Sequence, residues 1–230
     1  MEDRPTRVPA ARNGWLKPIT QAILERRATV AFTDDAVPDD VLGAILQLGL
    51  QAPSGYNLQP WRFIVVRDPA NRARLQSVAN DQAKVSQAPI VVIAVGMREA
   101  WRAEMDEVFL EGLKRGLVKR PADVTRGQEA ATRFLDGMSR DVWVNRHTMI
   151  AVTYMMLVAE AYGYDTAPME GFDAEGVKRE FGIPDDAEVV ALLGIGRARP
   201  PDKPYPGRFP VDRMVYAESF GTPWSERSRA

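Results

Sequence analysis

Cysteine is absent from the 230 residues, and histidine occurs once, at position 147. Without thiols there is no disulfide, no thiolate nucleophile, no zinc ribbon and no cysteine-ligated iron–sulfur cluster. A single imidazole also removes two-histidine motifs such as HExxH, so no metal site is expected. Redox chemistry in such a chain has to come from a bound organic cofactor. A surplus of either charge is missing too: 30 Lys+Arg stand against 31 Asp+Glu. No basic excess is available to displace phosphate counterions, and nucleic acid is not an expected partner. The two most apolar stretches, 88–97 and 149–159, fall short of the ~20 residues a bilayer crossing needs. Residues 1–15, MEDRPTRVPAARNGW, mix both charge signs with proline and lack the apolar centre of a secretory signal, which points to the cytoplasm. At 45% apolar and 27% charged, the composition is that of a globular chain with one ample core.

Residues 1–17 carry prolines without periodicity and read as an N-terminal extension. A helix is expected over 19–27. Another opens at Pro38-Asp39-Asp40, where proline suits the first turn and the acids complement the helix dipole. Val41, Leu42, Ile45, Leu46 and Gly49 give it a buried face. WRFIVVR (61–67) reads as a strand, and Asp68-Pro69 opens a helix through 78. PIVVIAV (89–95) has no polar break, as in a central strand covered on both faces. The pattern is helical over 99–118 and again, without interruption, over 123–162, where Gly163 is a left-handed cap. A short helix over 173–181, a strand over 188–195 and a loop over 199–210 with five prolines follow. Strands alternate irregularly with long helical segments, which predicts an α+β sandwich. Residues 215–230 contain Tyr216, Phe220 and Trp224 and form an arm expected to dock, on a second subunit for instance.

Gly194-Ile-Gly196 follows a strand but lacks the third glycine of a dinucleotide fingerprint and runs into Pro200-Pro201, which cannot open the required helix. His147 has no serine in a nucleophile context to serve and reads as a helix residue bonded locally. Two clusters remain. Arg26-Arg27, with Arg208 late in the chain, reads either as solvated surface or as forks for an anionic phosphate. The segment APSGYNLQPW (52–61) concentrates Ser54, Asn57 and Gln59 between buried elements. Turn chemistry accounts for its Pro, Gly and Asn, and the remaining polar groups suit a ligand loop.

Five stretches in order resemble the FMN-dependent nitroreductase family: RRATVAF (26–32), APSGYNLQPWRFIVV (52–66), QAKVSQAPIVVIAV (82–95), AEAYGYDTAPMEGFD (159–173) and GRFPVDRMV (207–215). The resemblance covers about 19–215. It implies an α+β fold with a mixed central sheet flanked by helices over 18–214. It also implies a homodimer with an exchanged C-terminal tail and FMN at the subunit interface. On this resemblance Arg26 and Arg27 hold the phosphate and ribityl chain, and Arg208 also grips the phosphate. Pro53, Ser54, Gly55 and Asn57 reach the flavin from the partner subunit, while Gln82 and Lys84 lie by the ribityl and pyrimidine edge. Pro168, Met169, Glu170 and Gly171 cover the isoalloxazine, with the Glu170 backbone N–H directed to flavin N5. Ala28 stands where many members have serine. Val30 stands where many place Lys or Arg near flavin N1/O2, leaving that task to Lys84 or Arg27.

The activity implied is hydride transfer from NAD(P)H to planar electron-poor acceptors such as nitroaromatics or quinones, by a ping-pong mechanism. Reductive dehalogenation, enoyl or enal reduction, flavin breakdown and non-catalytic flavin binding are alternatives on the same fold. Phe109 and Phe134, from the long helical segment, are expected to cover the site and shape the choice of acceptor.

Overall fold

The computed structural model describes residues 16–224. Its centre is a four-stranded sheet in the order β1-β2-β4-β3, with β1 Trp61–Val66, β2 Ile90–Met97, β3 Asp165–Met169 and β4 Ala187–Gly196. Every pair of neighbours in it is antiparallel. The expected mixed sheet is therefore corrected in one respect: the parallel pairing among the described residues is a single bridge, Ala28 to Thr166. The helices are α1 Ile19–Glu25, α2 Asp39–Gly49, α3 Pro69–Ser77, α4 Ala83–Gln87, α5 Ala100–Lys114, α6 Pro121–Asp136, α7 Arg140–Ala161, α8 Ala174–Phe181 and α9 Val211–Met214.

The unbroken apolar run of β2 is explained by cover on both faces. Ile90, Val92 and Ala94 join α2 and α7 in one core. Val91, Ile93 and Val95 join Phe32, Leu75, Val85 and Val177 in the other. Each such fully buried side chain contributes about 1.5–3 kcal/mol by leaving water. A third cluster packs α5 and α6 against the start of α7, through Trp101, Phe109, Leu135 and Trp143. At 22 residues α7 is roughly 33 Å long and reaches from that cluster to the first core.

The single helical segment expected over 123–162 is two helices. Gly137 closes α6, and Ser139 caps α7 by accepting from the Val142 N–H. Gly163, at φ 80°, closes α7 as expected. Tyr164 N donates to Ala159 O and Gly163 N to Glu160 O, the paired bonds of a Schellman end. Strand β3 and helix α4 were not foreseen. β3 is five residues with Pro168 inside, and it is tolerated because β3 is an edge strand that needs no second ladder. The C-terminal aromatics do not join the core. Tyr216 packs on Phe220 with ring centroids 4.6 Å apart, and Phe220 is 91% exposed.

Gly196 ends β4 where two rigid groups crowd in. A Cβ there would lie 2.6 Å from Pro89 Cδ and 2.9 Å from Phe32 Cδ1. Gly196→Ala is expected to destabilise the fold by about 1–3 kcal/mol, read as a lower urea midpoint at unchanged slope.

Candidate functional site

Residues 26–32 are pinned along one edge of the sheet. Thr29 N donates to Thr166 O at 3.1 Å beside the Ala28–Thr166 bridge, and Phe32 bridges Ala198. Thr33 N donates to Arg197 O, and Arg199 N to Ala31 O. The proline-rich loop leaving β4 is thereby laid against this segment and carries Lys203, Tyr205 and Arg208 back along it. The Arg27 guanidinium lies 4.4 Å from the Tyr205 ring centroid and that of Arg208 lies 5.6 Å from it. Sequence separation of 181 residues between these two arginines is closed by one tyrosine. Arg26 Nη1 is buried and has no hydrogen-bond partner, as does Thr166 Oγ1 on β3.

The same edge receives the next predicted residues. Met169, 3% exposed, anchors the end of β3 in the core, while Glu170 and Gly171 emerge into solvent. Gln82 Nε2 donates to Gly171 O at 2.7 Å and to Ala79 O at 3.1 Å. Asn80 and Asp81, just before Gln82, hold positive φ of 52° and 50°. Lys84 follows in the first turn of α4. Burial, together with repulsion from Lys203, pulls its ammonium below the ordinary lysine range. Arg208 shares the Tyr205 ring with Arg27, and Lys84 is repelled by Lys203 of the same loop. Residues 26–30 are thus pinned beside β3, whose end carries 168–171 with Gln82 bonded to Gly171. Val30 is 42% exposed there. Sequence reasoning missed Lys203 and Tyr205; the signal was a cation and an aromatic set among the prolines of 199–210.

The loop 53–57 lies elsewhere. It leads into β1, the opposite edge of the sheet, three strand spacings or about 14 Å from β3. It packs on α7 and α6: Gly55 N donates to His147 Nε2 at 3.0 Å, and the Tyr56 and Phe134 rings lie 5.8 Å apart. Ser54 Oγ accepts from Gln59 N at 2.9 Å. Tyr56, Asn57 and Gln59 all hold positive φ, a conformation costing about 1–2 kcal/mol for each non-glycine residue. Such concentrated strain is typical of functional loops. His147 makes the local bond expected of it, Nδ1 to Trp143 O at 2.8 Å. It also makes the long-range bond to Gly55, which its sequence context did not reveal.

The two phenylalanines part company. Phe134 is 49% exposed beside Tyr56, but Phe109 is only 9% exposed, and its ring leaves no room for a Cβ at Gly127. Phe109 is a core residue between α5 and α6, reaching at most the floor of a small pocket with Tyr56 and Asn57. Along the β1 edge runs a larger apolar groove of about 460 Å³, lined by Leu46, Leu50, Leu58, Trp61, Phe63 and Met155 among others. Among the described residues no group of His, Asp and Glu could hold a metal ion, and no helix is long and apolar enough to cross a membrane.

Guanidinium and ammonium groups are gathered at one edge of an α+β fold with one buried arginine nitrogen lacking an acceptor, an arrangement chemically suited to a phosphorylated ligand. Residues 23–197 match the Nitroreductase family. The sequence is 38% identical over 201 residues to the NADH dehydrogenase of Thermus thermophilus, covering 84% of this chain and 93% of that one. It is 30% identical to a Bacillus subtilis protein provisionally named NAD(P)H nitroreductase MhqN, covering 85% and 97%. A provisionally assigned Bacillus subtilis nitroreductase, YdfN, superposes with a TM-score of 0.80 at 27% identity, over 86% of this chain and 97% of its own. A structure from Exiguobacterium sibiricum described as a complex with FMN shares the fold at TM-score 0.77 and 24% identity, over 92% and 100%. The chain belongs to the nitroreductase family.

Phe109→Ala is expected to cost about 3 kcal/mol or more in denaturant unfolding, as a cavity does. Phe134→Ala should cost less than about 1 kcal/mol, so that any change in ligand preference without loss of stability tracks Phe134.

Proposed function

We propose that the protein is an FMN-dependent NAD(P)H oxidoreductase that passes hydride to planar electron-poor acceptors such as nitroaromatics or quinones in a ping-pong cycle. The carrying observation is the cationic edge, where Arg27 and Arg208 flank Tyr205 and Arg26 Nη1 waits without a partner. A phosphate monoester supplies the acceptor that Arg26 Nη1 lacks. It competes for Arg27 and Arg208, whose Nη1 atoms donate to the Leu24, Arg26 and Gly207 carbonyls, and an anion relieves the repulsion between Lys84 and Lys203. FMN, when bound, supplies the two-electron chemistry that a chain without cysteine cannot.

The residues have distinct tasks in this reading. Arg26, Arg27 and Arg208 hold the phosphate. Gln82 steadies the turn at Gly171 through its bond to that carbonyl, keeping the exposed Glu170 backbone N–H in place as a donor to the ring. Lys84 and Lys203 put positive potential where negative charge grows on reduction, with Val30 contributing none. Two substrates of similar planar shape take turns in one place, so no side-chain nucleophile is required.

The separation of the two clusters to opposite sheet edges supports a homodimer, in which the loop 53–57 of one copy meets the cationic edge of the other. The arm beginning at 215 is then exchanged. Its exposed Phe220, together with exposed Phe209, Val211 and Met214, supplies apolar surface for a partner, and the groove beside the unpaired edge of β1 is a place to receive it. In this reading residues 18–214 form the FMN-binding domain; residues 1–15, most of the N-terminal segment set apart on sequence, lie outside the described residues.

Purified protein is expected to be yellow as a dimer and to bleach on anaerobic addition of NADH or NADPH; colourless monomer after FMN saturation would sink the proposal. Arg27→Ala and Arg208→Ala should each weaken FMN binding by about 10- to 100-fold, the loss of a charge-assisted hydrogen bond. Val30→Lys should raise the two-electron potential by about 20 mV, near 1 kcal/mol for one partly exposed charge. A redox titration that placed the variant no higher than wild type would refute this.

A further inference from the structure

His147 is held by two backbone groups whose roles are chemically unambiguous. Trp143 O can only accept, and it lies 2.8 Å from Nδ1. Gly55 N can only donate, and it lies 3.0 Å from Nε2. The imidazole is therefore neutral with its proton on Nδ1 and its lone pair on Nε2. Its ring rests on Trp143, centroids 4.9 Å apart, and α7 fixes both. Gly55 is pressed against this pair: a Cβ on it would lie 3.3 Å from Trp143 Nε1 and 3.5 Å from His147 Nε2. Inside the loop, Asn57 N donates to Ser54 O, Leu58 N to Gly55 O and Gln59 N to Ser54 Oγ. Those bonds are internal and would travel with the loop, whereas the Gly55–His147 bond spans 92 residues and ties it to the longest helix.

Resting on the reading of 53–57 as the flavin-facing loop, the geometry points to His147 as a positioning residue: its Nε2 lone pair holds the Gly55 N–H and thereby the strained conformation in which Ser54 and Asn57 are presented to the ligand. His147 touches neither cofactor nor substrate. It acts through Gly55. Tyr56, Asn57 and Gln59 sit at φ of 53°, 58° and 46°, values that a free loop of these residues abandons, so an external tie is required to keep them. An acceptor at this point is what matters, and a side chain of the same bulk without one does not replace it.

Because His147 is the single histidine, untagged protein labelled with 15N-histidine yields one imidazole spectrum. The expected result near pH 7.5 is a neutral ring protonated at Nδ1, the reverse of the tautomer free imidazole side chains prefer. In His147→Leu, exchange of the Gly55 amide hydrogen should quicken at least tenfold, and the FMN dissociation constant should rise about 5- to 100-fold, the effect of leaving a part-buried N–H unpaired. His147→Gln, whose Oε1 can accept, should restore both to within about threefold. A ring protonated at Nε2, Gly55 exchange unchanged in His147→Leu, or a glutamine variant as impaired as the leucine one would overturn the assignment. If His147→Leu fails to fold, the imidazole spectrum and His147→Gln decide. Wild-type protein that binds no FMN yet shows the Nδ1–H ring and the exchange effect would remove the flavin reading and leave the loop clamp standing.

Discussion

Like charges held close together by the main chain are the constraint on which the candidate site depends. Lys84 and Lys203 repel one another, and Arg27 and Arg208 are drawn to the same tyrosine ring from different ends of the chain. Folding alone does not favour such a gathering: each cation would be better hydrated apart, and the flat π-face of Tyr205 offsets only about 0.5–1 kcal/mol per contact at an exposed site. What forces it is the main chain. The bonds from Thr29 to Thr166 and from Arg199 to Ala31 lace residues 26–32 between β3 and the exit of β4. The apolar anchor is Phe32, fully buried between Pro89 and the glycines of β4. Core packing thus sets the positions of the cations, and an anion bound among them would offset the resulting repulsion.

A second consequence follows from the order of the strands. β1 and β3 are the two edges of the sheet, and the two clusters rich in ligand-binding chemistry flank opposite ones. One chain has a cationic edge by β3 and, by β1, a strained polar loop whose Tyr56 and Asn57 share a small pocket with Arg115. In the proposed homodimer, a twofold pairing would place each loop on the other copy's edge. The exposed apolar side chains of 209–220 belong to the same logic, since a lone subunit would leave them in water.

The legible part of the fold was the part dictated by apolar runs and punctuation. β2, β4, α2 and the Gly163 cap are each specified by residues within the element itself. β3 was illegible because Pro168 argues against a strand unless one already knows that it lies at an edge. The break between α6 and α7 is hard to read because Gly137 and Ser139 interrupt a helical pattern only briefly, and the burial of Phe109 is hard to read because an aromatic on a charged helix looks the same from either face. Of the candidate site, the segments 26–30, 82–84 and 168–171 are pointed to by resemblance alone, and what the structure adds is their placement at one sheet edge. Their individual side chains (Ala28, Val30, Gly171) carry no chemistry that a reader of the sequence could recognise.

That last point explains why a redox protein can have so quiet a sequence. When the reacting electrons belong to a cofactor, the chain contributes donors, charge and shape, and several of those contributions come from the main chain. The Gly55 N–H is taken by His147, the Gly171 carbonyl by Gln82, and the Ala31 carbonyl by Arg199. Each of these backbone groups is interchangeable in sequence terms, and each is made particular by a side chain or strand far away. Function is then encoded in the partners of the backbone, so a lone histidine in the middle of a long helix bears on a loop 92 residues earlier with no motif to announce it.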